Sequence, residues 1–193
     1  MNMPENQIPK EQIEEIIRDF PIYEYAWTET DRLPFDGKVR EICRSECSMY
    51  GTRWHCPPVV GTVAQCRDKI ADYPEALVFS TIWEADNENL TEMLGLRKQH
   101  EEMTAQIRDR IAEAGCDTAV LSTGCIPCEK CTYPDKPCRN PDTAFPTIES
   151  AGIVLPLLVE KTDMELSCGA GLVTYFSIIL IRPKRQDPPN HKY

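Results

Sequence analysis

Several things are missing from this sequence, and each absence removes a class of function. No stretch approaches the ~18 consecutive apolar residues that a membrane-spanning helix needs. The opening segment, MNMPENQIPKEQIEEIIRDF, has neither a basic start nor an apolar run, so no signal peptide is expected there and a cytoplasmic location is. Positive charge is scarce: 21 Lys and Arg face 31 Asp and Glu, a formal net charge of −10. Such a surface repels phosphate backbones, and the single basic run, RPKRQ near the C-terminus, is too short to reverse that, so no nucleic-acid partner is expected. There is no phosphate-binding loop, no H-E-x-x-H pair, no Ser/His/Asp order and no internal repeat. Gly169 and Gly171 in CGAGLV precede a strand rather than a helix, which suits a turn and not a nucleotide site.

What is there is cysteine, ten residues of it. In a reducing compartment thiols serve as metal ligands or redox centres more often than as disulfides. Two stretches hold most of them: residues 41–66, EICRSECSMYGTRWHCPPVVGTVAQC, and residues 123–141, TGCIPCEKCTYPDKPCRNP.

The rest reads as an ordinary core. Ile13, Ile16, Ile17 and Phe20 share one face of a helix over residues 10–20. Residues 23–61 show little periodicity and read as largely loop. Thr62 is a candidate N-cap for a helix carrying Val63, Cys66, Ile70 and Tyr73 on one stripe, ended by Pro74. EALVFSTIWEA is a buried strand. A long helix follows, with Leu90, Met93, Leu94, Met103, Ile107 and Ile111 as its apolar stripe, His100 among its solvated charges and Gly115 as its stop. TAVLSTG is a short strand entering the second cysteine segment. TIESAGI suggests a brief helix, residues 154–163 another, and GLVTYFSIILIRP a closing strand. Strand, long helix, strand is the pattern of a crossover with a parallel pair. The expected fold is α/β or α+β: one domain over residues 1–193, with a small mixed sheet flanked by helices, two cysteine-rich metal-binding loops and a flexible tail over 184–193. Cys116 and Cys168 stand alone and are expected to be small core residues.

Cys125, Cys128, Cys131 and Cys138 have the spacing C-x2-C-x2-C-x6-C. A zinc site usually gathers two separated pairs of ligands around one small tetrahedral ion. Three thiols recurring every third residue suit a larger object with several metal corners, and a 4Fe–4S cluster is such an object. The loop containing Pro134 and Pro137 would return Cys138 to the fourth corner. Zinc and free redox thiols remain alternatives.

Cys43, Cys47 and Cys56 are spaced C-x3-C-x8-C, and Cys66 follows after nine more residues. Pro57 after Cys56 fixes the chain as the proline after a ferredoxin cysteine does, and Gly51 permits a sharp turn between ligands. Cys66 is a candidate fourth ligand, with a buried structural cysteine as the competing reading. Without it, one iron would keep an open corner. His55 beside Cys56 is a weaker candidate, because neighbouring side chains in extended chain point apart. Trp54 and Tyr50 either shield a cluster or simply pack. Arg139, after Cys138, is a candidate donor to a cluster sulfur or an acidic partner, with plain surface charge the alternative. A radical S-adenosylmethionine site is excluded, because its third cysteine falls three residues after the second and here it falls nine after.

The segments CSMYGTRWHCPP, GTVAQCRDKIADY, GCIPCEKCTYPDKPCRNP and PTIESAGI resemble those of a family of predicted metal-binding proteins, domain of unknown function 2284, widespread in anaerobic bacteria and archaea. The likeness runs from about residue 38 to 182. It implies a cytoplasmic protein that binds metal through these cysteines, as iron–sulfur clusters, and it implies no particular reaction. It also singles out Glu149, for which helix capping or a salt bridge is the plain alternative. Three functions follow as expectations. An electron-transfer module with two 4Fe–4S clusters would dock a redox partner protein through its acidic surface. An iron–sulfur enzyme would use an open iron on a small substrate. A zinc-stapled interaction protein would do no redox chemistry.

Overall fold

The computed structural model describes residues 8–126, 128–167 and 169–184. Cys168 and the expected tail beyond Lys184 lie outside the described residues. In chain order the elements are α1 (Lys10–Ile17), β1 (Glu24–Glu29), α2 (Lys38–Glu46), α3 (Val63–Ala71), β2 (Glu75–Glu84), α4 (Leu90–Glu113), β3 (Cys116–Leu121), α5 (Leu155–Lys161) and β4 (Leu172–Pro183), with 3-10 turns at Thr30–Arg32 and Glu149–Ala151. Among the described residues no helix is long and apolar enough to cross a membrane.

The strands form one four-stranded sheet in the order β1-β2-β4-β3. Neighbours are antiparallel throughout, with Val78 opposite Ile178 at the centre and Val120 opposite Ile179 beyond it. Alternation along the strands divides the core in two. Leu77, Phe79, Ile179 and Ile181 pack with Ile13 and Ile17 of α1 and with Met103, Ile107 and Ile111 of α4. Val78, Ile178 and Leu180 pack with Cys66 and Ile70 of α3 and Leu158 and Val159 of α5. Helices therefore cover both faces, which is why β2 and β4 read as nearly unbroken apolar runs.

That double cover explains one correction. β2 and β3 do run in the same direction, but β4 lies between them, so the expected parallel pair does not form. A continuous apolar strand is the mark of burial on both faces, and an antiparallel sheet flanked by helices meets that condition equally well. Two elements also lie in the stretch read as loop. β1 is an edge strand with only partial burial, and α2 buries no residue at all, so neither carried an apolar period to read. The Thr62 cap is present as a full capping box, its hydroxyl accepting from the Gln65 backbone while the Gln65 side chain accepts from Thr62.

The long helix holds the sharpest correction. His100, read as solvated, is fully buried. Its Nδ1 pairs with Thr81 Oγ1 and its Nε2 with Ser177 Oγ, each at 2.8 Å. Conversely Leu90 and Leu94, read as part of the buried stripe, are 70% and 48% exposed. The buried face runs through His100, Met103, Thr104, Ile107 and Ile111, leaving Leu90 and Leu94 of the first two turns uncovered. Cys116 is buried in the core as expected.

Candidate metal centre

The two cysteine segments reach one end of the molecule by different routes. The first leaves α2, which carries Cys43 near its end and stops at Cys47, whose amide bonds back to Cys43 O at 3.2 Å. It then turns tightly. Gly51 takes a φ of +68° and its N–H donates to Pro57 O at 2.7 Å, a conformation that penalises a Cβ. The Cys56 carbonyl accepts from Val59 at 3.0 Å before the chain enters α3.

The second segment continues β3. Ser122 pairs with the Pro146–Ile148 stretch through both backbone groups. Gly124 follows with φ +107°, and a Cβ there would stand 2.8 Å from Thr147 Cγ2, so glycine is required by both conformation and space. Beneath this point the buried Glu101 accepts from Ser122 Oγ at 2.6 Å, Thr123 N at 2.8 Å and Thr123 Oγ1 at 2.6 Å. Burial raises its pKa, against the opposing pull of those bonds and of the Arg97 charge. Glu101 thus fixes the root of the loop that carries Cys125.

Contacts between the segments tie them together. Arg53 Nη1 donates to Cys125 O at 3.2 Å, and Trp54 Nε1 donates to Lys136 O at 3.0 Å. The Trp54 ring meets Tyr133 edge-on with centroids 5.0 Å apart. Trp54 thus clamps one segment to the other. Arg139 donates to Lys130 O at 2.6 Å, within its own loop.

Between the segments lies a cavity of about 710 Å³, lined by Cys43, Cys47, Cys56, Cys125 and Cys128. The thiols act on one another electrostatically. Burial, and then the charge of Cys47, pushes Cys56 up; Cys43 and Cys131 add to this and Arg53 opposes it. Burial likewise raises Cys43, with Cys47 and Glu149 adding and Arg40 opposing. Cys125 is pushed up to about 11, chiefly by burial, with Arg53 opposing and Cys138, Cys128 and Cys131 adding. Burial pushes Cys131 up too, but there it is outweighed. The nearby backbone of Tyr133 and Trp54, the Arg53 charge and the backbone of Thr132 all favour its thiolate, and its pKa falls below the ordinary thiol value. Asn140 Nδ2 donates to Cys128 Sγ at 3.1 Å.

Cys66 sits elsewhere. It is buried in the core with α3, its sulfur accepting from Arg40 Nη2 and donating to Val60 O, both at 3.4 Å. His55 Nε2 is buried with no hydrogen-bond partner among the described residues, and burial lowers its pKa, which keeps the ring neutral. All the described cysteines are free thiols. Among the described residues no three His, Cys, Asp or Glu side chains converge on a point that would hold one metal ion.

The donor set nevertheless suits a thiolate-bound metal centre. Sulfurs that accept hydrogen bonds from amides, and a guanidinium among them, favour bound thiolates over thiols. Of these contributors, the reading from sequence missed Arg53, Glu101, Thr123 and Asn140. Only Glu101 left a trace, since it adjoins His100 in the heptad-like register 100, 104, 107, 111. No curated protein and no solved structure matches the chain. A family match covers residues 26–181, which is most of the chain, under the description "Predicted metal-binding protein (DUF2284)". With its cysteine segments facing each other across one thiol-lined cavity, the chain belongs to that family of predicted metal-binding proteins.

Proposed function

We propose that the chain is an iron–sulfur protein whose two cysteine segments hold 4Fe–4S clusters and that it transfers electrons. Cys125, Cys128, Cys131 and Cys138 are the ligands of one cluster; Cys43, Cys47 and Cys56 are ligands of the other. The observation that carries this reading is geometric: cysteines of both segments line one cavity, and Asn140 Nδ2 donates to Cys128 Sγ at 3.1 Å. Amide-to-sulfur bonds of that kind set the potential of a thiolate-bound cluster. When bound, such a cluster accepts and releases single electrons. The protein's part is to hold the thiolates, donate to their sulfurs and limit water around them. Loading draws the thiols in and displaces the protons that burial keeps on Cys125 and Cys56, so binding should strengthen as pH rises. The acidic surface would favour a basic redox partner.

One observation favours a second reading, an enzyme with an iron open to substrate. Cys66 is bonded to Arg40 and Val60 inside the core, away from the thiol-lined cavity. If it stays there on loading, the first cluster keeps three thiolates and a free corner. Anaerobic purification after iron-replete growth tests both readings. Brown protein with about four irons and four sulfides per cluster is expected, and Cys131→Ser should lose one cluster's worth. Colourless protein with stoichiometric zinc would end the iron–sulfur proposal. Cys66→Ser separates carrier from enzyme: an unchanged spectrum removes Cys66 from the ligands and favours the open iron.

A further inference from the structure

We infer that the thiol-lined cavity is also a binding site for a small organic carboxylate with an apolar body. The inference builds on the metal-site reading, because the same walls carry the cysteines, and it names what the site would take as a ligand. Three features of the cavity support it.

The first is charge. The chain carries −10 overall, yet this cavity is lined by Arg53, Arg97 and Lys98 and by no Asp or Glu among the described residues. Arg53 and Arg97 are half-buried, and neither is ion-paired to a carboxylate among the described residues. Arg97 reaches the buried Glu101 only through Thr123, and Arg53 faces thiols and no carboxylate, so neither guanidinium is closed off by a direct ion pair and both can take an anion.

The second is orientation. Arg97 Nε donates to Thr123 Oγ1 at 3.0 Å, and that hydroxyl donates in turn to the buried Glu101. The relay uses only Nε, so the forked Nη pair is fixed in direction and left for a planar two-oxygen acceptor. Arg53 is held through Nε to Met49 Sδ and through Nη1 to Cys125 O, which leaves Nη2.

The third is the apolar wall. Met49 and Leu94 line the cavity and are 40% and 48% exposed, and Pro57 and Ile126 join them. A carboxylate head on the guanidiniums with a short hydrocarbon body on these residues satisfies both walls. The volume, about 710 Å³, is within the ~300–1,000 Å³ typical of small-molecule pockets.

The test is calorimetric titration of the anaerobically iron-loaded full chain with benzoate, with benzamide as the uncharged analogue and pyrophosphate as the purely ionic one. Iron and sulfide are assayed on the same sample, and the titration is repeated on metal-free chain, since Arg97 and Leu94 belong to α4 and not to the cysteine segments. Absence of iron would then count against the metal reading alone, and absence of benzoate binding against this inference alone. Saturable benzoate binding is expected in the millimolar range or tighter. It should weaken by about tenfold or more for benzamide and for Arg97→Gln. Leu94→Asn, at an exposed position whose loss leaves the core intact, should weaken it a few-fold, which keeps the test decisive if Arg97→Gln fails to fold. No saturable binding, equal binding by Arg97→Gln (by Leu94→Asn where that variant does not fold), or preference for pyrophosphate over benzoate overturns the inference. The last outcome would show cations that serve charge alone.

Discussion

The sheet and the cysteine face obey different rules. Six consecutive residues of β2, Ala76 to Thr81, are buried, and so is β4 from Phe176 to Ile181. Across residues 41–66 only Pro57 and Cys66 are buried, and α2 buries nothing. The sheet is stable because it removes apolar surface from water on both faces. The cysteine face has no such resource; it is shaped by tight turns, prolines and a few cross-contacts from Arg53 and Trp54. In a protein organised this way, metal should supply to the loops what burial supplies to the sheet.

The largest effects should therefore fall on the sheet and leave the metal site's composition alone. Phe79→Ala removes a fully buried ring between α4 and β2, and a loss of about 3–5 kcal/mol in urea unfolding is expected. The folded fraction should still load its usual metal. The converse variant, Cys131→Ser, should cost the metal-free protein no more than ~0.5 kcal/mol while changing metal content. If Cys131→Ser instead unfolds the metal-free sheet, the two regions are not independent and the contrast fails.

A somewhat smaller effect lies in pH. His100 has its pKa lowered from 6.5 to about 4, chiefly by burial. Between those values the unfolded chain binds the proton and the folded chain does not. Stability is thus complete above pH 6.5 and declines as pH falls towards 4, by about 3 kcal/mol in order of magnitude. Glu101 acts with the opposite sign: its pKa is raised above 4.5, so its contribution declines as pH rises through that region. His100→Gln should flatten the acid limb of the unfolding profile, and Glu101→Gln should remove the decline on the other side. An acid limb that survives in His100→Gln would place the titrating group elsewhere.

This comparison also explains what could be read in the sequence. Helices α1, α3 and α4 and strands β2 and β4 were legible because burial writes a period into residue types, as in Ile13, Ile16 and Ile17 or the unbroken run around Val78. Strand order was not, because a strand buried on both faces looks the same whichever way its neighbour runs. His100 was misread because polarity was taken for exposure, when its spacing from Thr104, Ile107 and Ile111 marks the buried face. α2 was invisible, having no buried side to pattern it. The cysteine spacings were legible at once, but not the surrounding donors. Arg53, Asn140 and the backbone around Cys131 come together only through turns, and turn geometry leaves no periodic mark.

The smallest effect tests the contrast most finely. Trp54 Nε1 donates to Lys136 O across the segments, while its ring packs on Tyr133. Trp54→Phe keeps an aromatic ring and removes the donor, at a cost of about 0.5–1.5 kcal/mol. That is too little to move global unfolding much, but it should appear in amide exchange. In metal-free protein the Lys136 amide, which bonds to Thr132 O at 3.0 Å, should exchange up to about tenfold faster, while β4 amides stay unchanged. With Cys131 and Cys138 as the proposed ligands, loading would fix the chain on either side of Lys136, and the difference between variant and parent should shrink. The same acceleration in loaded protein would mean that Trp54, and not metal, holds this segment, and the division between a burial-built sheet and a metal-built face would have to be redrawn.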